Sequence, residues 1–250
     1  MLPPSLNQEG NVTKTIFLLN IGQYAPAITR LTYPFINLYA KRIGATVHAI
    51  TERKFPEWPV VYEKLQIYEL AKQTGSDWNI YIDSDALIHP ECPDFTIYLP
   101  MGSIAFHHPD LSYTRFKTSD YNLRYGRYHA AGNWFMIGSR LCLDLWRPLE
   151  MSAAEAVSQC TPTPAEIAFG MTAEHLVDDY ALSQNMARFG LDVKFIRDLY
   201  DQYKLPLVAT ERDGKTGTTD YFRHLYLLTI DEKVKFLSDC IKEWKLEGYL

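Results

Sequence analysis

Trp78-Asn79-Ile80-Tyr81-Ile82-Asp83-Ser84-Asp85-Ala86-Leu87-Ile88 is the stretch from which the fold of this chain can be read. A short apolar run reads as a buried strand, and two carboxylates one residue apart stand where that strand ends. Along a strand, residues i and i+2 point to one side, so Asp83 and Asp85 can converge on one hard cation. Oxygen ligands from one or two carboxylates suit Mg²⁺ or Mn²⁺, with diphosphate oxygens and waters filling the rest of the shell. At the carboxyl end of a strand in an α/β sheet, such a pair lies where ligands of these folds bind. Asp and Ser are also turn formers, and a plain turn is the other reading of the same residues.

Working outward, residues 14–20 (KTIFLLN) read as a buried strand, and Ile28, Leu31, Phe35, Leu38 and Tyr39 give helical spacing over 25–43. Pro34 predicts a kink or break near Tyr33, and Gly44 a stop. Residues 46–50 (TVHAI) read as a second strand. Residues 59–72 read as a second helix, with Pro59 close to its first turn and Gly75 at its end. Strand, helix, strand, helix, strand implies parallel pairing through right-handed crossovers. The first half therefore reads as a doubly wound, nucleotide-binding layer.

Beyond it the order is mixed. Strands are expected over 103–106, 133–137 and 193–196, and helices over 139–151, 173–189 and 230–246. Residues 107–129 read as an irregular loop with short helices, and 209–221 as a flexible loop.

At 250 residues the chain has room for one large α/β domain or two small ones, and the first is the expectation. A net charge of −5 excludes the basic footprint of a nucleic-acid binder. Its 17 Tyr, 12 Phe and 5 Trp supply faces that stack on sugars and bases, but they are equally ordinary core residues. Cys92, Cys142, Cys160 and Cys240 are widely spaced, without a Cys-x-x-Cys pair, which argues against structural zinc and against a disulfide framework. The N-terminal residues lack a basic region followed by an apolar core, and no apolar run approaches a membrane span. The expectation is a cytoplasmic protein.

Several segments now carry a family resemblance. Tyr39-Ala40-Lys41-Arg42-Ile43-Gly44 resembles a Tyr-Ala-x-Arg-x-Gly helix end, and Tyr62-Glu63-Lys64-Leu65 a Trp-x-Lys helix start. Residues 78–88 resemble an Asp-x-Asp signature strand. Ala131-Gly132-Asn133-Trp134-Phe135-Met136-Ile137 and His175-Leu176-Val177-Asp178-Asp179-Tyr180-Ala181-Leu182 resemble the later Asn/Gly strand and acidic helix start. Together, over roughly residues 15–196, these resemble the galactosyl- and xylosyltransferase family of GT-A glycosyltransferases. Two departures are visible: Asn133 follows Gly132 rather than preceding a Gly, and His224-Leu225-Tyr226-Leu227 lacks the Gly of His-x-x-Gly.

The resemblance implies an α/β GT-A (nucleotide-diphospho-sugar transferase) fold, a Rossmann-like mixed sheet flanked by helices. It implies one domain over 1–250: a loose tail to residue 13, a nucleotide-binding half over 14–100, and an acceptor half with a C-terminal helix over 101–250. The implied activity is metal-dependent transfer of a hexosyl or pentosyl group, with retention, from a nucleotide-diphosphate sugar to a glycan or other hydroxyl acceptor. Asp83 and Asp85 would hold Mn²⁺ or Mg²⁺. His224 is the candidate third ligand, since Mn²⁺ accepts imidazole more readily than Mg²⁺ does.

Lys64 and Ser84 are candidate cofactor contacts, Lys64 toward a phosphate. Asn20, Ile21, Gly22, Thr51, Glu52 and Arg53, at strand ends, are candidates for base and ribose. Asn133 is expected near the sugar, and Asp178 and Asp179 on the sugar or the reacting centre. Carboxylates in a first helical turn also simply complement the helix dipole. His175, Asp178 and Asp179 share a helix face, a spacing that could itself bind a metal. His107, His108, Arg124, Arg127 and His129 are candidates for lining the acceptor site.

Two other readings stay open. A strand followed by Asp-x-Asp also opens haloacid dehalogenase-like phosphatases, although there it sits on the first strand, and here two strand–helix units precede it. The remaining possibility is a non-catalytic nucleotide-sugar or glycan-binding module.

Overall fold

β1 (Lys14–Leu19), β2 (Ala45–Ile50) and β3 (Trp78–Ile82) form the parallel ladder expected of the first half, with β1 in the middle. The computed structural model describes residues 12–108, 133–212, 215–225 and 229–250. β5 (Ser103–Phe106), β6 (Phe135–Ser139) and β7 (Asp192–Phe195) extend the sheet to the order β2-β1-β3-β6-β5-β7. β6 is antiparallel to both β3 and β5, and β7 is parallel to β5, so β6 alone runs against the other five. The carboxyl ends of β1, β2, β3 and β5 and the amino end of β6 therefore share one edge. This is the mixed α/β sheet that the sequence led us to expect.

Alternation along the strands fills both faces. Phe17, Tyr81, Ile104, Phe106 and Met136 pack on one side against the segment after β2 and the helix bearing Val177 and Tyr180. Ile16, Leu18, Ile80, Ile82, Phe135 and Ile137 pack on the other, against Ile36, Tyr39, Ile196 and Leu199. The helices are α1 (Pro26–Ile43), α2 (Ile67–Thr74), α3 (Ala153–Gln159), α4 (Pro164–Ala168), α5 (Val177–Arg188), α6 (Ile196–Tyr203) and α7 (Ile230–Glu243). α7 lies on α1 through Leu237, Cys240, Ile241 and Trp244. β4 (Leu87–Ile88) pairs antiparallel with β10 (Phe222–Arg223), which ties the stretch before α7 to the end of the Asp83–Asp85 segment. No helix among the described residues is long and apolar enough to cross a membrane.

Several local expectations are corrected. α1 is continuous through Pro34: an internal proline costs about 3 kcal/mol, and burial of Ile28, Phe35, Ile36, Tyr39 and Ile43 outweighs it. Residues 60–66 form a 3₁₀ segment ahead of α2, not one α-helix from residue 59; Tyr62 through Gln66 are all buried, which no single helical stripe allows. The helix expected over 139–151 is only a 3₁₀ turn, Leu143–Trp146. Pro148 biases Arg147 toward extended backbone, and Trp146 folds back onto Gly138, where a Cβ would lie 2.7 Å from the ring. The helix expected over 173–189 opens as a 3₁₀ turn, Ala173–Leu176. The loop expected over 209–221 contains a hairpin of β8 (Val208–Arg212) and β9 (Lys215–Thr219).

Candidate functional site

Asp83 follows the last residue of β3, and the chain turns at once: the Ala86 amide donates to the Asp83 carbonyl at 2.9 Å. The turn and the carboxylate pair are therefore the same feature. Ser84 fixes it to the fold. Its hydroxyl donates to the Leu19 carbonyl at 2.7 Å and accepts from Tyr33, while Thr32 donates to its carbonyl at 2.6 Å. Ser84, expected to touch a cofactor, is buried, with its hydrogen bonds running to Leu19, Tyr33 and Thr32.

The turn aims Asp83 and Asp85 at His224, which follows β10. His224 Nε2 lies 3.7 Å from Asp83 Oδ2 and 3.3 Å from Asp85 Oδ1. Its ring stacks on Trp134, with centroids 5.0 Å apart. The outer carboxylate oxygens are occupied separately. Asp83 Oδ1 accepts from the Tyr81 hydroxyl and lies 3.3 Å from Lys64 Nζ. Asp85 Oδ2 is bonded to Lys233 Nζ, from α7. Burial pushes the Asp85 carboxyl up, but His224 and then Lys233 more than reverse this and hold it well below the usual carboxylate range.

Lys64 is 4% exposed, because the 3₁₀ segment turns it inward, and it joins this trio to a second acidic pair. Its Nζ lies 2.7 Å from Asp178 Oδ2. Burial lowers its affinity for a proton, yet Asp178 and Asp83 outweigh that and raise its pKa. Asn133, just ahead of β6, donates to Asp178 Oδ2 at 3.1 Å and to Asp179 Oδ1 at 2.6 Å. Asp178 and Asp179 thus stand in the first turn of α5, as the dipole favours, and also face the sheet edge.

Asn20 follows β1 at the same edge, with its side-chain oxygen buried and without a hydrogen-bond partner among the described residues. A buried orphan carbonyl costs about 1–3 kcal/mol, so it suits a donor group from a ligand. Ile21 is half-buried against the core; Gly22 adopts φ 63°, and Gln23 and Ala25 are also left-handed, a strained loop beside the carboxylates. Tyr24 projects from it, and burial, then Asp85 and Asp83, push its hydroxyl pKa up. Thr51 and Glu52 are exposed at the end of β2.

Two further candidates are held by the protein itself. Arg53 Nε donates to Glu63 at 2.7 Å, and its Nη2 donates to the carbonyls of Phe55, Pro56 and Trp58. On the His175–Asp178–Asp179 face, His175 is exposed with its Nδ1 accepting from the Thr172 amide, while Asp178 turns to Lys64 and Asn133. His107 follows β5 and pairs through Nε2 with Asp220 at 3.0 Å, against Trp134. His108 stacks edge-on to it. Arg124, Arg127 and His129 lie outside the described residues. Lys233, Tyr24, Tyr81, Trp134 and Asp220 were not foreseen. Trp134 adjoins Asn133 in sequence and Tyr24 the expected Gly22 loop, whereas nothing local marks Lys233.

The donor set fits a divalent cation. Asp83, Asp85 and His224 each offer an atom within 4.8 Å of the others. Octahedral ligands at about 2.1 Å stand about 3 Å apart, close to the His224 contacts already present. Two carboxylates with an imidazole favour Mn²⁺ over Mg²⁺. The Tyr81 hydroxyl and the Trp134 ring supply the outer support that such ligands need.

No family model and no curated protein matches the chain. Among solved structures, it aligns over 90% of its length with 98% of a glycosyltransferase involved in glycosylation of the major capsid of PBCV-1, at 11% identity and a TM-score of 0.49. It also aligns over 86% of its length with 71% of a mutant Drosophila β1,4-galactosyltransferase 7 in complex with manganese, UDP-Gal and xylobiose, at 13% identity and a TM-score of 0.39. Likenesses of this strength carry no assignment, which falls to the geometry of the site.

Proposed function

We propose that this protein is a GT-A-type glycosyltransferase, moving a hexosyl or pentosyl group from a nucleotide-diphosphate sugar to a glycan or other hydroxyl acceptor. The observation that carries the reading is the convergence of Asp83, Asp85 and His224 with Lys64, Asn133, Asp178 and Asp179 at one sheet edge. A divalent ion held by Asp83, Asp85 and His224 would neutralise the diphosphate as its bond to the sugar breaks. Lys64 places a fixed ammonium beside that group. Asp178 and Asp179, oriented by Asn133, are hydrogen-bond acceptors for sugar hydroxyls. Asn20 and Thr51 are proposed to meet the base and ribose, with Tyr24 over the diphosphate end. Retention at the anomeric carbon is part of the proposal, to be read by NMR of the product anomer. The phosphatase alternative is less well supported, because in that family Asp-x-Asp stands on the first strand, whereas here β1 and β2 precede the strand that carries it.

Calorimetric titration of UDP and GDP, with and without Mn²⁺, into wild type and Asp85→Asn tests the reading. Support is tight binding of one nucleotide that needs both the metal and Asp85. Binding of neither nucleotide under any metal condition refutes it.

A further inference from the structure

Lys233 is the charged group that α7 contributes to the site, and its local position does not favour a cation. It lies one turn into the helix, its amide donating to the Thr229 carbonyl at 2.9 Å, behind Asp231 and Glu232. That end of a helix carries a partial positive charge, which suits the acids and opposes the lysine. Yet Lys233 is only 9% exposed, and its ammonium is bonded to Asp85. Each carboxylate of the Asp83–Asp85 pair thus has its own lysine, and the two lysines differ. Lys64 is shared with Asp178 and keeps a partner if Asp83 turns to another cation. Among the described residues, Asp85 is the sole carboxylate paired with Lys233.

We propose that Lys233 is an exchangeable counter-cation, holding Asp85 until a divalent ion takes that carboxylate and then transferring its ammonium to the diphosphate of the donor. This rests on the reading of Asp83, Asp85 and His224 as metal ligands, and it deepens that reading by giving α7 a part in donor capture. A buried ammonium that loses its carboxylate needs another anion within reach of its flexible stem. Asp83, Asp85, Asp178 and Asp179 outnumber Lys64 and Lys233 by two charges, which one divalent ion offsets. The incoming diphosphate then needs a cation, and Lys233 is the one whose partner has been taken.

The test titrates Mn²⁺ alone, and then UDP or GDP at saturating Mn²⁺, into wild type, Lys233→Met and Asp85→Asn. Thermal melting confirms that each variant is folded. Lys233→Met is expected to bind Mn²⁺ about tenfold more tightly, because a competing charge is gone, and the nucleotide about tenfold less tightly. These opposite signs are the signature: a lysine with a merely structural role would weaken both. Unchanged or weaker Mn²⁺ binding by Lys233→Met overturns the exchange, and loss of Mn²⁺ binding in Asp85→Asn shows that the metal site itself still stands. If wild type binds neither Mn²⁺ nor nucleotide, the exchange and the proposed function fall together.

Discussion

Replacing Lys64 with methionine removes one charge from a site whose charge balance depends on it. The ammonium lies 2.7 Å from Asp178 and 3.3 Å from Asp83, and the residue is 4% exposed. Methionine preserves most of the apolar stem but leaves the buried Asp178 carboxylate and the half-buried Asp83 carboxylate facing a lost cation. Breaking such a buried pair costs about 3–5 kcal/mol. Asn133 still bonds Asp178 and Tyr81 still bonds Asp83, so the lower end, about 3 kcal/mol, is expected. For a chain of this length, that lowers Tm by about 6–12 °C.

The assay is urea and thermal unfolding in chelator, on wild type, Lys64→Met, Asp178→Asn and the double variant. The double variant should be more stable than the sum of the singles by about 1–3 kcal/mol, because Asp178 is no longer an uncompensated charge. Lys64 has a raised pKa, so this stabilisation is fully present below the ordinary lysine value of about 10.4 and is lost only as pH rises through the higher folded value. A Lys64→Met loss below about 1 kcal/mol, or strict additivity in the cycle, would refute the claim that Lys64 is a buried bridge between the two acidic pairs.

Three other perturbations follow from the same geometry. Tyr81→Phe removes the hydroxyl that orients Asp83 and should weaken Mn²⁺ binding about 10–100-fold, read by manganese EPR, with little change in the far-UV spectrum. Gly138→Ala drives a Cβ to 2.7 Å from the Trp146 ring and should cost about 1–3 kcal/mol in urea unfolding, with a changed near-UV tryptophan signal. Asp220→Asn loosens the His107 pair, worth about 1 kcal/mol given the 26% exposure of the Asp220 side chain. Burial raises the Asp220 pKa, but the His107 bond and charge depress it overall, so wild type holds this contribution above the ordinary Asp pKa and loses it as pH falls through the depressed value. The variant should show a correspondingly shallower acid limb.

Much that escaped the sequence reading was nevertheless written locally. α3, α4 and α7 each open on a Ser/Thr-x-x-Glu capping box, at Ser152/Glu155, Thr163/Glu166 and Thr229/Glu232, and the first two were not read as helices. Asp213-Gly214, between β8 and β9, is the dipeptide that two-residue hairpin turns favour. In other places local signals pointed the wrong way. Pro34 says break, yet the two packed faces of α1 hold it; residues 139–151 look helical, yet Pro148 and the Trp146–Gly138 contact prevent it.

The sequence by itself determined the β-α-β-α-β start and the position of Asp83 and Asp85 at the end of a buried strand. Both follow from periodicity and strand polarity, which act over a few residues. It also marked His224, Lys64, Asn133, Asp178 and Asp179 as chemically able. Only the tertiary structure decided that these side chains meet, because that depends on β6 running against its neighbours and on β10 pairing with β4. The same long-range packing brings Lys233, 148 residues away, onto Asp85. Charge complementarity between distant residues leaves no periodic trace along a chain, so it becomes visible only when the elements are packed.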